Sequence, residues 1–303
     1  MDEHELAWAA GFFDGDGWVA LVRFGRRSKR RPMARINQGS ESGVPEVLVR
    51  FRDAVGVGRI RGPKIEAGRQ PLYSWVASSR ADVVRAGTLI GPWLSAAKRA
   101  QFTSAAGLGF VATPLESCAW AAGLFDAEGS TSLSDRKSGS GYKAIEASVT
   151  QGGSVVPQVL LRFAAYVALG RVNGPYEQEG ANAPVYRWRI HTVDEVRRML
   201  HVLLPWLGVV KRRQAYAAIA VIDAQPTRQR GRLEWGSHKT QCIHGHEYAS
   251  ARVRRYVGRG VGIQRRANKQ CLACAREQAR ARRLKAANRQ IGGHLAADLD
   301  NET

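Results

Sequence analysis

Hydrophobic and polar positions change period several times along the chain, and the same succession of periods occurs twice. Residues 5–14 and 117–126 carry AWAAGFFD and AWAAGLFD, runs apolar enough to predict a short buried helix in each place. Alternation with period two follows. It predicts strands at Trp18–Phe24 and Met33–Gln38, then at Ser130–Leu133 and Ala144–Gln151. The period turns helical in EVLVRFRDAV and QVLLRFAAYV. Gly-Pro turns punctuate a second strand pair, near Gly58–Ile60 and Tyr73–Ala77 in the first copy. Each unit closes with a helix, RADVVRAGTLIGPWL or TVDEVRRMLHVLLPWL, and a further turn beyond.

The recurrence is also a recurrence of residues. Gly11 aligns with Gly123, and AWAAGFFDGDG with AWAAGLFDAEG. VPEVLVRF (Val44–Phe51) then matches VPQVLLRF (Val156–Phe163), and GRIRGP (Gly58–Pro63) matches GRVNGP (Gly170–Pro175). After a one-residue slip, PWLSAAKRAQ (Pro92–Gln101) matches PWLGVVKRRQ (Pro205–Gln214). Two copies of one αββαββα unit follow from this order, packed about a pseudo-twofold axis, with antiparallel sheets. The expected fold class is α+β. Residues 1–105 hold the first repeat and 106–224 the second, joined by the Gly- and Pro-containing segment Thr103–Glu116.

Charge narrows the class of partner. The 303 residues hold 46 Lys and Arg against 26 acids, a net charge of +20. Such an excess predicts a polyanion, most simply nucleic acid. No apolar run approaches the length of a membrane span, and the N-terminus MDEHELAWAAG is acidic, unlike a secretory signal. An intracellular, cytoplasmic and DNA-associated protein is expected.

Against that basic background, the end of each first helix is acidic: Asp14 and Asp16 in one copy, Asp126 and Glu128 in the other. Ala7 and Gly11, like Ala119 and Gly123, put small residues four apart, so the two helices can approach closely. Their C-terminal ends, already the negative poles of the helix dipoles, then lie side by side. Like charges so held repel. A hard divalent cation with oxygen ligands, Mg²⁺ in particular, relieves the repulsion, and such ions can serve phosphodiester hydrolysis. The residues alone leave open which carboxylate of each pair would bind it. No Ser-His-Asp set, P-loop or dinucleotide fingerprint is present.

AAGFFDGDG and AAGLFDAEG resemble the LAGLIDADG motif of homing endonucleases, in the single-chain, pseudosymmetric branch. The resemblance covers about residues 1–220, with Ala9 and Ala121 in place of the motif's leading Leu. It implies that Asp16 and Glu128, with the adjoining Gly15 and Ala127, hold Mg²⁺, and that Asp14 and Asp126 are inner, structural carboxylates. It further implies that Gln38 and Gln151 order water at the site. Lys98 and Lys211 would lie near the scissile phosphates, where a cation stabilises developing charge. The strands after the first helices are implied to face DNA. Their candidate contacts are Arg23, Arg26, Arg27, Arg30, Arg35 and Asn37, then Ser132, Ser134, Arg136, Lys137, Lys143 and Glu146. Arg suits guanine and Asn suits adenine, while many such contacts reach only phosphates. The two sets differ, so a long asymmetric double-stranded target is expected, bound by a monomer.

The last quarter is different in composition. Between Gln225 and Gln290 lie 17 Lys and Arg against three acids. Cys242 and His246, with Cys271 and Cys274, have spacing suited to tetrahedral structural Zn²⁺; His244 is the alternative to His246. This stretch resembles small zinc-finger-like modules appended to nucleases. A basic zinc-binding module at 225–290 and an acidic tail at 291–303 are expected. Cys118 falls on the first helix of the second copy, as a core residue. The functional expectation is a site-specific Mg²⁺-dependent double-strand DNA endonuclease. The alternative is an RNA maturase or non-cleaving DNA-binding regulator of the same fold.

Overall fold

The computed structural model describes residues 2–23, 25, 29–111, 114–135, 143–177, 183–225, 253–257, 267–271, 274 and 276–280. The chain divides into two compact units, 1–225 and 226–303. In the first unit one run of elements occurs twice. It begins α1 (Glu3–Asp16), β1 (Gly17–Val22), β2 (Arg31–Gly39) and α2 (Glu46–Val55). It continues β3 (Arg59–Lys64), β4 (Leu72–Ala77), α3 (Arg80–Ile90) and α4 (Ala96–Ala106). The second run opens α5 (Cys118–Glu128), β5 (Gly129–Asp135), β6 (Lys143–Gly152) and α6 (Gln158–Val167). It closes β7 (Arg171–Tyr176), β8 (Val185–Ile190), α7 (Val193–Leu203) and α8 (Val209–Asp223).

The architecture is α+β, with two four-stranded antiparallel sheets ordered β1-β2-β4-β3 and β5-β6-β8-β7. Each repeat ends in two helices rather than a helix and a turn. Pro92 and Pro205 interrupt the first helix of each pair, and a new N-cap starts the second. Ser95 caps α4 through a side-chain bond from the Lys98 amide, and Gly208 occupies the same place before α8. Residues 103–106 therefore belong to α4, and the connection between repeats starts at Gly107.

Each sheet buries one face against helices. Ile36 and Trp75 point inward from the first sheet, Val149 and Trp188 from the second, and all four are fully buried. The amphipathic helices answer them at helical spacing, with Leu48, Phe51 and Val55 in α2 and Leu160, Phe163 and Val167 in α6. Phe51 meets Trp75 edge-on at 4.8 Å and Phe163 meets Trp188 edge-on at 4.9 Å, the same contact in both repeats.

α1 and α5 are buried on nearly every side, and they bury each other. A Cβ built on Gly11 would stand 1.9 Å from the carbonyl oxygen of Trp120, and one on Gly123 1.9 Å from that of Trp8. Only glycine allows so close an approach. The helix ends meet as a consequence, and the next residues enter the central edge of each sheet.

In the second unit, β9 (Val253–Val257) pairs with β10 (Ala267–Cys271) as an antiparallel hairpin, Val253 opposite Cys271. Among the described residues no helix is long and apolar enough to cross a membrane.

Candidate active site

The close packing of α1 on α5 carries Asp16 and Glu128 to abutting helix ends. A Cβ on Gly15 would lie 2.4 Å from Cβ of Ala127 and 2.9 Å from Cγ of Glu128. Gln38, on the inward parity of β2 with Ile36, donates its amide to Asp16. Gln151, at the equivalent place in β6, donates to Glu128 at 2.8 Å. Lys98 and Lys211 stand in the first turns of α4 and α8. The Lys98 amine donates to the carbonyl of Gly17, and the Lys211 amine to that of Gly129 at 2.6 Å. Each lysine is thereby tied to the residue following the acidic one. The six side chains singled out in the sequence converge on one place, three from each repeat.

Their charges act on one another. Burial, then the Glu128 carboxylate, raise Asp16 to about 7, opposed by Lys211, Lys98 and the Gln38 bond. Burial also raises Glu128, against the Gln151 bond and both lysines. Burial lowers Lys98 and Lys211, while the acids around them pull the other way. Two carboxylates and two ammonium groups thus share one partly desolvated pocket.

Asp14 and Asp126 are occupied differently. Asp14 accepts from the amide of Ser95 at 2.9 Å, its hydroxyl at 2.7 Å, and the indole N–H of Trp120 at 2.8 Å. Asp126 accepts from the amide of Gly208 at 2.8 Å and the indole of Trp8 at 2.8 Å. Both are buried against these donors, and burial raises both, Asp126 to about 6. They hold the starts of α4 and α8. Of each acidic pair, the inner member is buried and committed to amide and indole donors, while the outer member is the more exposed and is bonded to its Gln, a distinction spacing alone could not make.

Among the described residues no three His, Cys, Asp or Glu side chains gather to hold a metal ion. The donor set at the helix ends fits Mg²⁺ nonetheless. That ion is commonly bound by one or two carboxylates, its remaining positions taken by water and phosphate oxygens. In the second unit Cys271 is buried and Cys274 half-buried, whereas Cys242 and His246 lie outside the described residues.

The sheet faces away from the helices carry the other candidates. Arg35 and Asn37 share that parity in β2, and Ser132, Ser134 and Glu146 share it in β5 and β6. Lys143 does not. It falls on the parity of Ile145, and its amine pairs with Asp135 at 2.8 Å. Arg23 and Arg30 are exposed at the two ends of the β1–β2 connection; Arg26, Arg27, Arg136 and Lys137 lie outside the described residues.

Further arginines on the same faces were not anticipated, four of them in two R-x-R pairs. Arg59 and Arg61 of β3 oppose Val76 and Ser74, and Arg187 and Arg189 of β8 oppose Thr150 and Ser148. Their signal was present as R-x-R alternation in GRIRGP and VYRWRI. The pairing order that sets these strands beside β2 and β6 was not. One expectation about readout changes as well. The Asn37 amide oxygen is taken by Arg35 and by the Ser74 hydroxyl, both at 2.7 Å, so it is not free to accept from adenine.

The fold is shared with solved nucleases. The structure is similar to the LAGLIDADG meganuclease I-AabMI bound to uncleaved DNA, with a TM-score of 0.55 and 16% sequence identity over 74% of this chain and 91% of that one. It is also similar to the LAGLIDADG meganuclease I-CpaMI bound to uncleaved DNA, at 0.50 and 11% identity over 72% of this chain and 90% of that one. No family model matches the sequence, and no curated protein matches it. The likeness therefore lies in the fold, which is that of the LAGLIDADG meganucleases.

Proposed function

We propose that this chain is a site-specific double-strand DNA endonuclease using Mg²⁺, with Asp16 and Glu128 as the shared metal-binding carboxylates. The observation that carries the reading is their convergence at two abutting helix ends, each with its own Gln and Lys. The DNA-bound state of the solved proteins of this fold supports a DNA partner.

Asp16 and Glu128, with the neighbouring Gly15 and Ala127 carbonyls, would hold the metal. When bound, Mg²⁺ supplies an activated water and charge neutralisation at a phosphodiester. Gln38 and Gln151 orient the carboxylates and leave their remaining hydrogen-bonding capacity for water. Lys98 and Lys211 provide a positive charge beside each scissile phosphate, where negative charge accumulates on the oxygens. The arginine-bearing sheet faces bind the duplex, phosphates fixing register and base edges giving sequence. Because the two faces differ, the target is long and asymmetric, and one chain acts as a monomer. In the same reading the basic segment 225–290 adds phosphate contacts, held by structural Zn²⁺ at Cys242, His246, Cys271 and Cys274. The protein then works in the cytoplasm, on the nucleoid.

The test is incubation of a supercoiled plasmid library of genomic fragments with Mg²⁺, followed by sequencing of the ends produced. Wild type is expected to cut at one recurrent sequence, and Asp16→Asn or chelation to abolish cutting. Intact DNA together with tight RNA binding would replace this reading with that of a maturase. Intact DNA with sequence-specific DNA binding would replace it with that of a regulator. Equal cutting by Asp16→Asn would remove the site assignment.

A further inference from the structure

The buried tryptophans of α1 and α5 are crossed between repeats. Trp8, in the first repeat, donates its indole N–H to Asp126 of the second at 2.8 Å. Trp120, in the second, donates to Asp14 of the first at 2.8 Å. Both indoles are fully buried. Each is clamped from above by an arginine of its own repeat: Arg50 lies 3.9 Å over Trp8 and Arg162 3.9 Å over Trp120. These arginines also reach across. Arg50 donates to the carbonyl of Trp206 at 2.7 Å, and Arg162 to that of Trp93 at 2.6 Å.

The receiving carboxylates explain why the crossing matters. Asp126 is the group that grips the amide of Gly208, the residue from which α8 starts. Lys211 stands three residues on, with its amine on the carbonyl after Glu128. The other path runs from Trp120 through Asp14 and Ser95 to α4 and Lys98, whose amine rests on Gly17. A buried tryptophan ordinarily needs only some acceptor for its N–H. Here the acceptor is in each case the carboxylate that seats the opposite repeat's lysine helix.

We propose that Trp8 and Trp120 are positioning residues for the phosphate-facing lysines, each setting the lysine of the other repeat and hence the cutting of one DNA strand. The inference rests on the nuclease reading above. The two paths differ in strength. Among the described residues Asp14 has three protein donors, Ser95 N–H, Ser95 O–H and Trp120 N–H, while Asp126 has two, Gly208 N–H and Trp8 N–H. Loss of the Trp8 donor leaves Asp126 the less supported of the pair.

Trp8→Phe and Trp120→Phe remove the donor and keep an aromatic ring. The experiment is cleavage of a duplex of the sequence recovered from wild type, labelled differently on each strand, with nicking rates read separately. Trp8→Phe is expected to slow one strand about tenfold more than the other, the range seen when a supporting hydrogen bond behind a site is lost. The strand affected is the one slowed by Lys211→Met. Trp120→Phe skews toward the strand slowed by Lys98→Met, and by less. Trp8→His, which restores an N–H, is expected to recover the balance. Both strands are cut by the same molecules, so partial unfolding lowers both rates and cancels in their ratio. Equal slowing of the two strands, complete loss included, overturns the proposal. So does an unchanged ratio, or a skew to the strand of the same repeat's lysine. A wild type that cuts nothing would instead overturn the nuclease reading.

Discussion

Gly11 lies against the backbone carbonyl of Trp120, with 1.9 Å between that oxygen and the place a Cβ would occupy. Gly123 stands in the same relation to Trp8. The neighbouring atoms are backbone, so no side chain can swing aside to make room. A methyl group at either position has to push the two helices apart, and with them the ends that carry Asp16 and Glu128. Gly11→Ala and Gly123→Ala are each expected to destabilise the first unit by about 3 kcal/mol, the upper part of the overpacking range. Chemical denaturation measures this directly. A loss below about 1 kcal/mol would mean that the helices are not held at this distance in solution.

A smaller asymmetry at the end of the second helix of each repeat predicts a gain. α2 terminates at Gly56 with φ 64°, while α6 terminates at Ala168 with φ 53°. Both are left-handed, a conformation costing an L-residue roughly 1–2 kcal/mol and glycine little. Ala168→Gly is expected to stabilise the protein by about 1 kcal/mol, seen as a higher melting temperature with cleavage unaffected. A lower melting temperature would show that the alanine methyl makes packing contacts outweighing its backbone cost.

These positions also show what the sequence makes legible. Internal repetition exposed the two units, because identical short strings recur in order and need no knowledge of packing. The helices α2 and α6 were readable to the residue, since their apolar spacing is strict and Pro45 and Pro157 mark their starts. The meeting of the two acidic helix ends was legible from the small residues of the first helices, whereas the choice of Asp16 and Glu128 and the arrival of Gln38, Gln151, Lys98 and Lys211 beside them were accessible only through resemblance. Composition cannot say that Gln38 faces a helix end rather than solvent, which depends on strand register. α4 and α8 were read as turns because Pro92 and Pro205 break the period before each new cap. The crossed tryptophans left no local signal at all: the partners of Trp8 and Trp120 lie more than 100 positions away, and a buried indole looks like ordinary core.

The acidic pocket makes stability depend on pH and metal in a definite direction. Asp16 is raised from 3.8 to about 7 by burial and by Glu128. The folded metal-free protein thus prefers the neutral acid, while the unfolded chain ionises near the ordinary value. Its favourable contribution is fully present below pH 3.8 and is lost as pH rises through about 7. Without metal, Asp16→Asn is expected to melt higher than wild type, and the gap to be wider at pH 8 than at pH 5. Mg²⁺ binds the ionised carboxylate, so it should raise the wild-type melting temperature more at pH 8 than at pH 5. Asp16→Asn should lose most of that rise. A gap that narrows toward pH 8, or equal Mg²⁺ stabilisation of both proteins, would contradict the assignment of Asp16 as a half-buried metal-binding carboxylate.

The last prediction concerns what the first sheet reads on DNA. Arg35 donates from Nε to Asn37 Oδ1 at 2.7 Å and from a terminal nitrogen to the Ser74 hydroxyl at 2.8 Å, and that hydroxyl donates in turn to Asn37 Oδ1 at 2.7 Å. Arginine can only donate, so the atom it meets must be the amide oxygen, which fixes the orientation of Asn37. With that oxygen doubly engaged, the group offers outward only donors: the Asn37 amine and the remaining Arg35 N–H bonds. Bidentate adenine reading needs a free amide oxygen for the exocyclic amine, whereas guanine presents two acceptors, N7 and O6. Wild type selected on randomised duplexes is therefore expected to enrich guanine, and not adenine, at the base pair whose identity is sensitive to residue 37. Asn37→Asp substitutes an acceptor for the donor and should lower preference for guanine there by about 1–3 kcal/mol, read as the ratio of selected bases. Uniform weakening across all sequences would place Asn37 on phosphate instead, and adenine enrichment by wild type would show that the triad opens on binding.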